Sequence, residues 1–525
     1  MKERGGEPSP GSSPVSGPTG ASRPTGTGGI AGTRSGAARE AGLEAAPWEG
    51  SAGSIEVVRS ALAAAGYSGE GLGAALGGQP LHLVRRGATF ERRIAGDSAL
   101  ALLLRLFAAE RPVASAAARE RLGVSSLEAL AACGMLYDDG EWLRPRVALE
   151  PFGELLIASD LRERHHSRAA DYVLGPGPAT RRLAELAVAC DGGRLLDLGC
   201  GSGALGLLAA AGGAVVTGVD VSERAIAFAR FNAVLNGLAG VELLVGDLFA
   251  PVGGRRFERI LCNPPYVISP ERTFAYRDGP PDLCARIARE AGDHLAPLGV
   301  AQMHCNWPER RGRDWRADLA GWFEGTGCDA LILEEERAGA FDYASLWLSQ
   351  EHESAEEVER GLEQWLDFYE REGVESIGAG LVVMRRVEGR QPWIEVREGP
   401  FRRGPAGASI SGLLEARDRL ARVSDDASLP EQRLRAAPEL ELRERRRPGE
   451  GGWRTESCEL RLGRGYAFAA RVDPVAAAIV GQLDGERTLR EAAGAVAERF
   501  GLEPDALLPG LPGLARQLLG LGLLR

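Results

Sequence analysis

Apolar side chains recur at two different periods along this chain. In 55–65, 98–109, 113–122 and 126–133 they return every three to four positions, which predicts helices that each bury one stripe. Residues 134–145 follow with two short β-prone pieces around Asp138-Asp139-Gly140, a composition suited to a hairpin turn. Helices followed by a hairpin form a winged-helix-like pattern, and 51–160 is assigned to such a domain. A docking or substrate-positioning role is expected of it, because its helices show no dense basic face.

From 179 to 387 the period changes. Short β-prone runs at 194–198, 214–219, 241–245, 257–262, 300–304, 329–334 and 379–385 alternate with helical stretches at 204–211, 223–236 and 282–296. Strands separated by helices of roughly 10–15 residues predict an α/β fold, a doubly wound, mostly parallel sheet of seven strands. A charged amphipathic helix at 355–371 precedes the last of them. Residues 388–525 form a C-terminal accessory domain, and its stretch from Leu483 to Ala493 resembles small winged-helix modules found beside peptide-modifying enzymes. The first 50 residues are rich in Gly, Pro, Ser, Thr and Ala, too poor in large apolar groups to offset the entropy of ordering, and are expected to be a disordered tail.

Composition narrows the function. The 525 residues suffice for several domains, and a net charge of −11 disfavours a protein that coats nucleic acid through a general positive field. Arg-rich patches at Arg310-Arg311-Gly312-Arg313 and 443–447 read as solvated surface. The eight cysteines form no C-x-x-C pair and no Cys/His cluster, so no metal is expected and the thiols should be reduced. No apolar run is long enough to span a membrane, and the first residues lack the apolar stretch of a secretory signal. A cytoplasmic protein is expected.

Two motifs carry the chemistry. Asp197-Leu198-Gly199-Cys200-Gly201-Ser202-Gly203 ends the first predicted strand and opens a helix, where glycines let the backbone approach a ligand and free N–H groups face an anion. Gly201, Gly203 and Gly206 also satisfy G-x-G-x-x-G, and Asp220 stands where a ribose ligand is expected, so this loop alone admits either a dinucleotide or S-adenosylmethionine. Asp247, after the third strand, can accept from an adenine amino group. Asn263-Pro264-Pro265-Tyr266 follows the fourth. There an Asn carbonyl and a neighbouring backbone carbonyl, stiffened by two prolines, can accept both hydrogens of a planar amino group on which a Tyr can stack. A hydride-transfer enzyme has no use for such an acceptor.

On these residues the region from about 180 to 387 resembles class I S-adenosylmethionine-dependent methyltransferases with the N-P-P-Y signature. That group includes HemK-like protein-glutamine N5-methyltransferases and amino-methylating RNA and DNA enzymes. The resemblance implies a Rossmann-like sheet with S-adenosyl-L-methionine held by Asp197, Gly199, Gly201, Gly203, Asp220 and Asp247. It implies that Asn263 orients the acceptor, with Pro264 lending a carbonyl and Tyr266 touching the target. Glutamine amide, adenine N6 and guanine N2 all present a planar NH₂, so the signature leaves the acceptor open. The acidic charge favours a protein substrate such as a translation release factor over a nucleic acid. The flanking domains depart from the small helical bundle of HemK-like proteins, and a non-catalytic cofactor- or RNA-binding scaffold is the third alternative.

Overall fold

The computed structural model describes residues 51–78, 88–271, 274–351, 354–399, 401–423, 425–450 and 452–525, and the expected tail, 1–50, lies outside them. An eight-stranded sheet occupies the middle of the chain. Its strands are β1 (Arg194–Leu198), β2 (Val215–Asp220), β3 (Glu242–Val245), β4 (Phe257–Cys262), β5 (Leu295–Arg310), β6 (Cys328–Gly339), β7 (Val374–Arg386) and β8 (Ile394–Glu398). They lie in the order β8-β6-β7-β5-β4-β1-β2-β3. Strands β1 to β5 pair in parallel, β7 runs antiparallel to β5 and β6, and β8 joins β6 in parallel. Seven strands match the seven expected. The eighth, Ile-Glu-Val-Arg-Glu, is short and charged and lies in a Pro/Gly/Arg-rich connection that hides it.

The central strands are covered on both faces, so they read as apolar runs rather than alternations. Leu195, Leu196 and Leu198 of β1 and Ile260, Leu261 and Cys262 of β4 are all buried. Register then sets the site. Leu198 pairs with Val219 on one side and Cys262 on the other. The residues that follow, Gly199, Asp220 and Asn263, therefore emerge at one level at the carboxyl ends of three adjacent strands.

The helices around the sheet are α1 (Pro178–Leu186), α2 (Ala204–Ala211), α3 (Glu223–Leu235), α4 (Leu283–His294), α5 (Trp315–Ala320), α6 (Ala340–Glu351) and α7 (Ala355–Glu372). Strand β5 is 16 residues long and β7 is 13, well beyond the short runs expected. Next to them α6 and α7 pack Leu348, Leu362, Trp365 and Tyr369 into a separate apolar cluster with Val267 and Ile377.

Upstream, strand Val113–Ala114 pairs with Trp142–Pro145, which also pairs with Leu136–Asp138, and helices Ser115–Leu122 and Val124–Ala132 lie between them in sequence. Asp138 and Asp139 shape the turn by accepting from the Gly140 and Trp142 amides at 2.9 and 2.7 Å. A second hairpin, Ala148–Phe152 with Leu155–Ser159, is clamped to α3. Asn232 and Asn236 each use the whole carboxamide for this, accepting from and donating to the backbone of Ala158 and Leu156. Downstream, helices Gly407–Ala421, Leu489–Phe500 and Leu511–Gly520 share an apolar core with Leu183 and Leu186 of α1.

Candidate functional site

A cavity of about 380 Å³ opens at the carboxyl ends of β1, β2 and β4. Asp197, Gly199, Gly201, Asp220, Asp247 and Asn263 all line it, six residues drawn from four strand ends. Gly203, Pro264 and Tyr266 do not. Gly203 (φ +83°) turns the loop into α2, and a Cβ there would stand 3.0 Å from that of Ala229, so its part is to seat the loop on α3. Pro264 is buried between Asn263 and Pro265, which both line the cavity. Tyr266 faces an adjoining cavity of about 130 Å³ that shares Pro265, Gly279 and Pro280 with the first.

Two carboxylates hold the glycine loop and the helix it opens. Gly199 and Gly201 take positive φ, +70° and +55°, which costs other residues strain. Asp220 accepts from the Gly201 amide at 2.8 Å with one oxygen and from the Ser222 amide at 2.9 Å with the other. Two such bonds leave a carboxylate with further lone pairs for ribose hydroxyls. The helix cap itself falls to Ser222, whose hydroxyl accepts from the Ala225 amide. Asp197 is 2% exposed and accepts from the Gly206 amide at 2.7 Å. Burial pushes its carboxyl up to about 7, the Gly206 amide opposes this, and the nearby Asp220 charge adds to it. Burial likewise raises Asp220.

Asp247 is exposed and ion-paired to Arg286 in the first turn of α4, 3.2 Å away. The next residue, Leu248, lines the cavity at φ +46°, a strained conformation for a branched side chain. Asn263 donates through Nδ2 to the Thr180 hydroxyl at 3.3 Å, and its Oδ1 is buried with no protein partner. An orphaned buried acceptor is costly, so this atom marks a place where a ligand donor fits.

Several walls escaped the sequence reading. Tyr172 and Tyr276 line the cavity and meet edge to face, their ring centroids 5.7 Å apart. His165, stacked on Phe274, lies 3.1 Å from the Tyr276 hydroxyl. Burial pushes both Tyr276 and Tyr266 up to about 12, so both stay neutral phenols. These residues precede the glycine loop or follow the prolines, in segments without a periodic pattern. The one available signal was the density of aromatics in 165–172 and 274–276. Among the described residues there is no group of three or more His, Cys, Asp or Glu that could hold a metal, and no helix long and apolar enough to cross a membrane. All eight cysteines are free.

The residues present fit S-adenosylmethionine. Asp197 offers a buried carboxylate for its ammonium group, the N-terminus of α2 can face its carboxylate, Asp220 has spare lone pairs for the ribose, and Leu248 gives an apolar contact for the base.

Residues 177–308 match the family described as Methyltransferase small domain, and residues 413–525 match Domain of unknown function (DUF7782). The release factor glutamine methyltransferase of Bordetella pertussis is 34% identical over 185 residues, 31% of this chain and 67% of that protein. That of Gloeobacter violaceus is 36% identical over 149 residues, 24% of this chain and 52% of that protein. The ribosomal RNA small subunit methyltransferase C of Alcanivorax borkumensis is 35% identical over 114 residues, 22% of this chain and 32% of that protein. The chain thus spans about half the length of the second of these relatives and about a third of the last.

Proposed function

The chain belongs to the S-adenosylmethionine-dependent methyltransferases built on the methyltransferase small domain, and from that premise we propose that it methylates a planar amino nitrogen, the side-chain amide of a glutamine in a protein such as a translation release factor. One observation carries the reading: Asn263 Oδ1 is buried at the cavity wall without a protein partner. When bound, S-adenosylmethionine supplies an electrophilic methyl group. An amide nitrogen is a poor nucleophile because its lone pair is delocalised, so the chain's task is to orient it and favour the positive charge that develops on it. Asn263 Oδ1 and the Pro264 carbonyl do both as paired acceptors. No strong base is required, since the nitrogen becomes acidic once methylated. Tyr266 touches the acceptor from the side of the smaller cavity.

Charge supports a protein acceptor. Five aspartates, Asp171, Asp197, Asp220, Asp247 and Asp278, line the larger cavity beside one arginine, Arg286, a balance that disfavours a phosphate backbone there. We assign the flanking regions to docking, 51–160 as a winged-helix-like module and 388–525 as an accessory domain. Free thiols and an acceptor of the translation apparatus suit the cytoplasm.

Incubation with methyl-labelled S-adenosylmethionine and cell lysate, followed by separate nuclease and protease digestion, tests the acceptor. Label that survives nuclease and disappears with protease is expected. Label lost to nuclease means an adenine or guanine acceptor, and no label means a scaffold.

A further inference from the structure

A primary carboxamide presents an acceptor at one end and two donors at the other, and half a turn about its last bond exchanges them. If Asn263 turned, it would offer N–H groups to an incoming NH₂ and repel it. The group must also be held in place. The Thr180 hydroxyl, 3.3 Å from Nδ2, is the side-chain partner that the Asn263 carboxamide has in the protein.

Thr180 sits on a short helix that three regions hold in place. Pro178 starts α1 with φ already set. Arg181 donates to the Pro151 carbonyl at 3.1 Å and pairs with Glu150 on the upstream hairpin. Arg182 pairs with Glu335 of β6 at 2.9 Å. The Glu185 carboxylate binds Arg402 at 2.6 Å, and its carbonyl accepts from the Ala406 amide at 2.7 Å. Leu183 and Leu186 are wholly buried. The hydroxyl of residue 180 therefore stands at a fixed place opposite Asn263.

We propose that Thr180 is a positioning residue for methyl transfer, its hydroxyl accepting from Asn263 Nδ2 and so holding the carboxamide at the cavity wall with Oδ1 left free for the acceptor's amino group. This rests on the reading of Asn263 as the amino-group acceptor. The carboxamide is then in place before the substrate arrives, and the flanking regions bear on transfer through α1.

The sequence makes the test tractable, because it contains four asparagines: Asn232, Asn236, Asn263 and Asn306. Selective ¹⁵N-asparagine labelling yields four side-chain NH₂ pairs, and the pair missing from Asn263→Ala belongs to Asn263. Thr180→Val is expected to move that pair and leave the Asn232 pair in place, while Thr180→Ser restores the wild-type position. The initial rate of label transfer from methyl-labelled S-adenosylmethionine to lysate acceptor is expected to fall roughly tenfold in Thr180→Val and to recover in Thr180→Ser, with cofactor Kd and Tm unchanged. An Asn263 pair unmoved by Thr180→Val overturns the proposal, as does a rate that falls equally in Thr180→Ser or falls only together with cofactor affinity. If Asn263→Ala transfers label at the wild-type rate, the amino-group reading itself fails and the proposal falls with it.

Discussion

Asp197 and Gly206 meet so closely that no side chain fits on the second: the Gly206 amide donates to Asp197 Oδ2 at 2.7 Å, and a Cβ on Gly206 would stand 2.9 Å from the same oxygen. It would also come within 3.0 Å of Val216 Cγ1. Gly206→Ala should therefore push α2 away from β1 and β2 and displace the buried carboxylate. Overpacking of this kind costs about 1–3 kcal/mol. A lowered Tm and a cofactor Kd weakened about tenfold are expected by scanning and titration calorimetry. Wild-type melting and binding would show that this contact does not hold Asp197 in place.

The same burial gives cofactor binding a pH dependence. With its carboxyl raised to about 7, Asp197 is largely protonated in the free protein at pH 6 and ionised at pH 8. An ammonium partner favours the ionised form, so binding releases a proton on the acid side of pH 7. Affinity should improve about tenfold from pH 6 to pH 8 and then level off. Asp197→Asn should bind more weakly at every pH with a flat profile. Calorimetry in buffers of different ionisation enthalpy counts the proton, and zero release at pH 6 would refute the assignment. For stability the sign is opposite: a raised carboxyl contributes fully below its unfolded value near 4 and loses that contribution as pH rises through 7.

Glu335 joins three elements, accepting from the Tyr466 hydroxyl at 2.7 Å, pairing with Arg182 and lying 3.3 Å from His304 Nε2. Burial by itself would raise this carboxyl, but hydrogen bonds from His304, Tyr466 and Arg182, with the Arg182 charge, carry it down to about 2. The side chain is 6% exposed, so solvent screens the network little. A lowered carboxyl stabilises the fold above its unfolded value near 4, and that contribution, on the order of 3 kcal/mol, is lost as pH falls toward 2. Denaturant titrations from pH 5 to pH 2.5 should show a shallower acid loss in Glu335→Gln than in the wild type. Parallel curves would mean that the network contributes nothing to stability.

The cavity residues at the strand ends were more legible than the aromatic walls around them. Strands β1 and β4 and helix α2 have the bounds expected of them, because buried runs ended by Gly or Asn-Pro-Pro admit few alternatives. Asp197, Asp220 and Asn263 share one cavity because strand register places them there, and register follows from apolar runs that can be read directly. The long antiparallel half of the sheet was only partly visible. The run Cys305-Asn306-Trp307-Pro308 in β5 combines an amide and a proline that usually mark a loop, yet Asn306 is buried and bonded to Tyr343 of α6. Helix α6 itself mixes apolar and polar residues without a clean stripe and was missed. Thr180 was invisible for a different reason: its contact spans 83 residues, and no spacing rule joins a threonine in one helix to an asparagine after a distant strand.

Asn263→Ala separates acceptor orientation from cofactor binding, with cofactor binding measured by calorimetry and transfer measured by incorporation of label from methyl-labelled S-adenosylmethionine. Asn263 lines the cavity just beyond β4, whereas the glycine loop is tied to Asp220 and the helix it opens to Asp197. Cofactor Kd is expected to stay within about twofold of wild type and the transfer rate to fall at least about a hundredfold, the scale of losing one preorganised transition-state partner. Transfer at the wild-type rate, or a loss of transfer that merely tracks a loss of cofactor affinity, would contradict this role of Asn263.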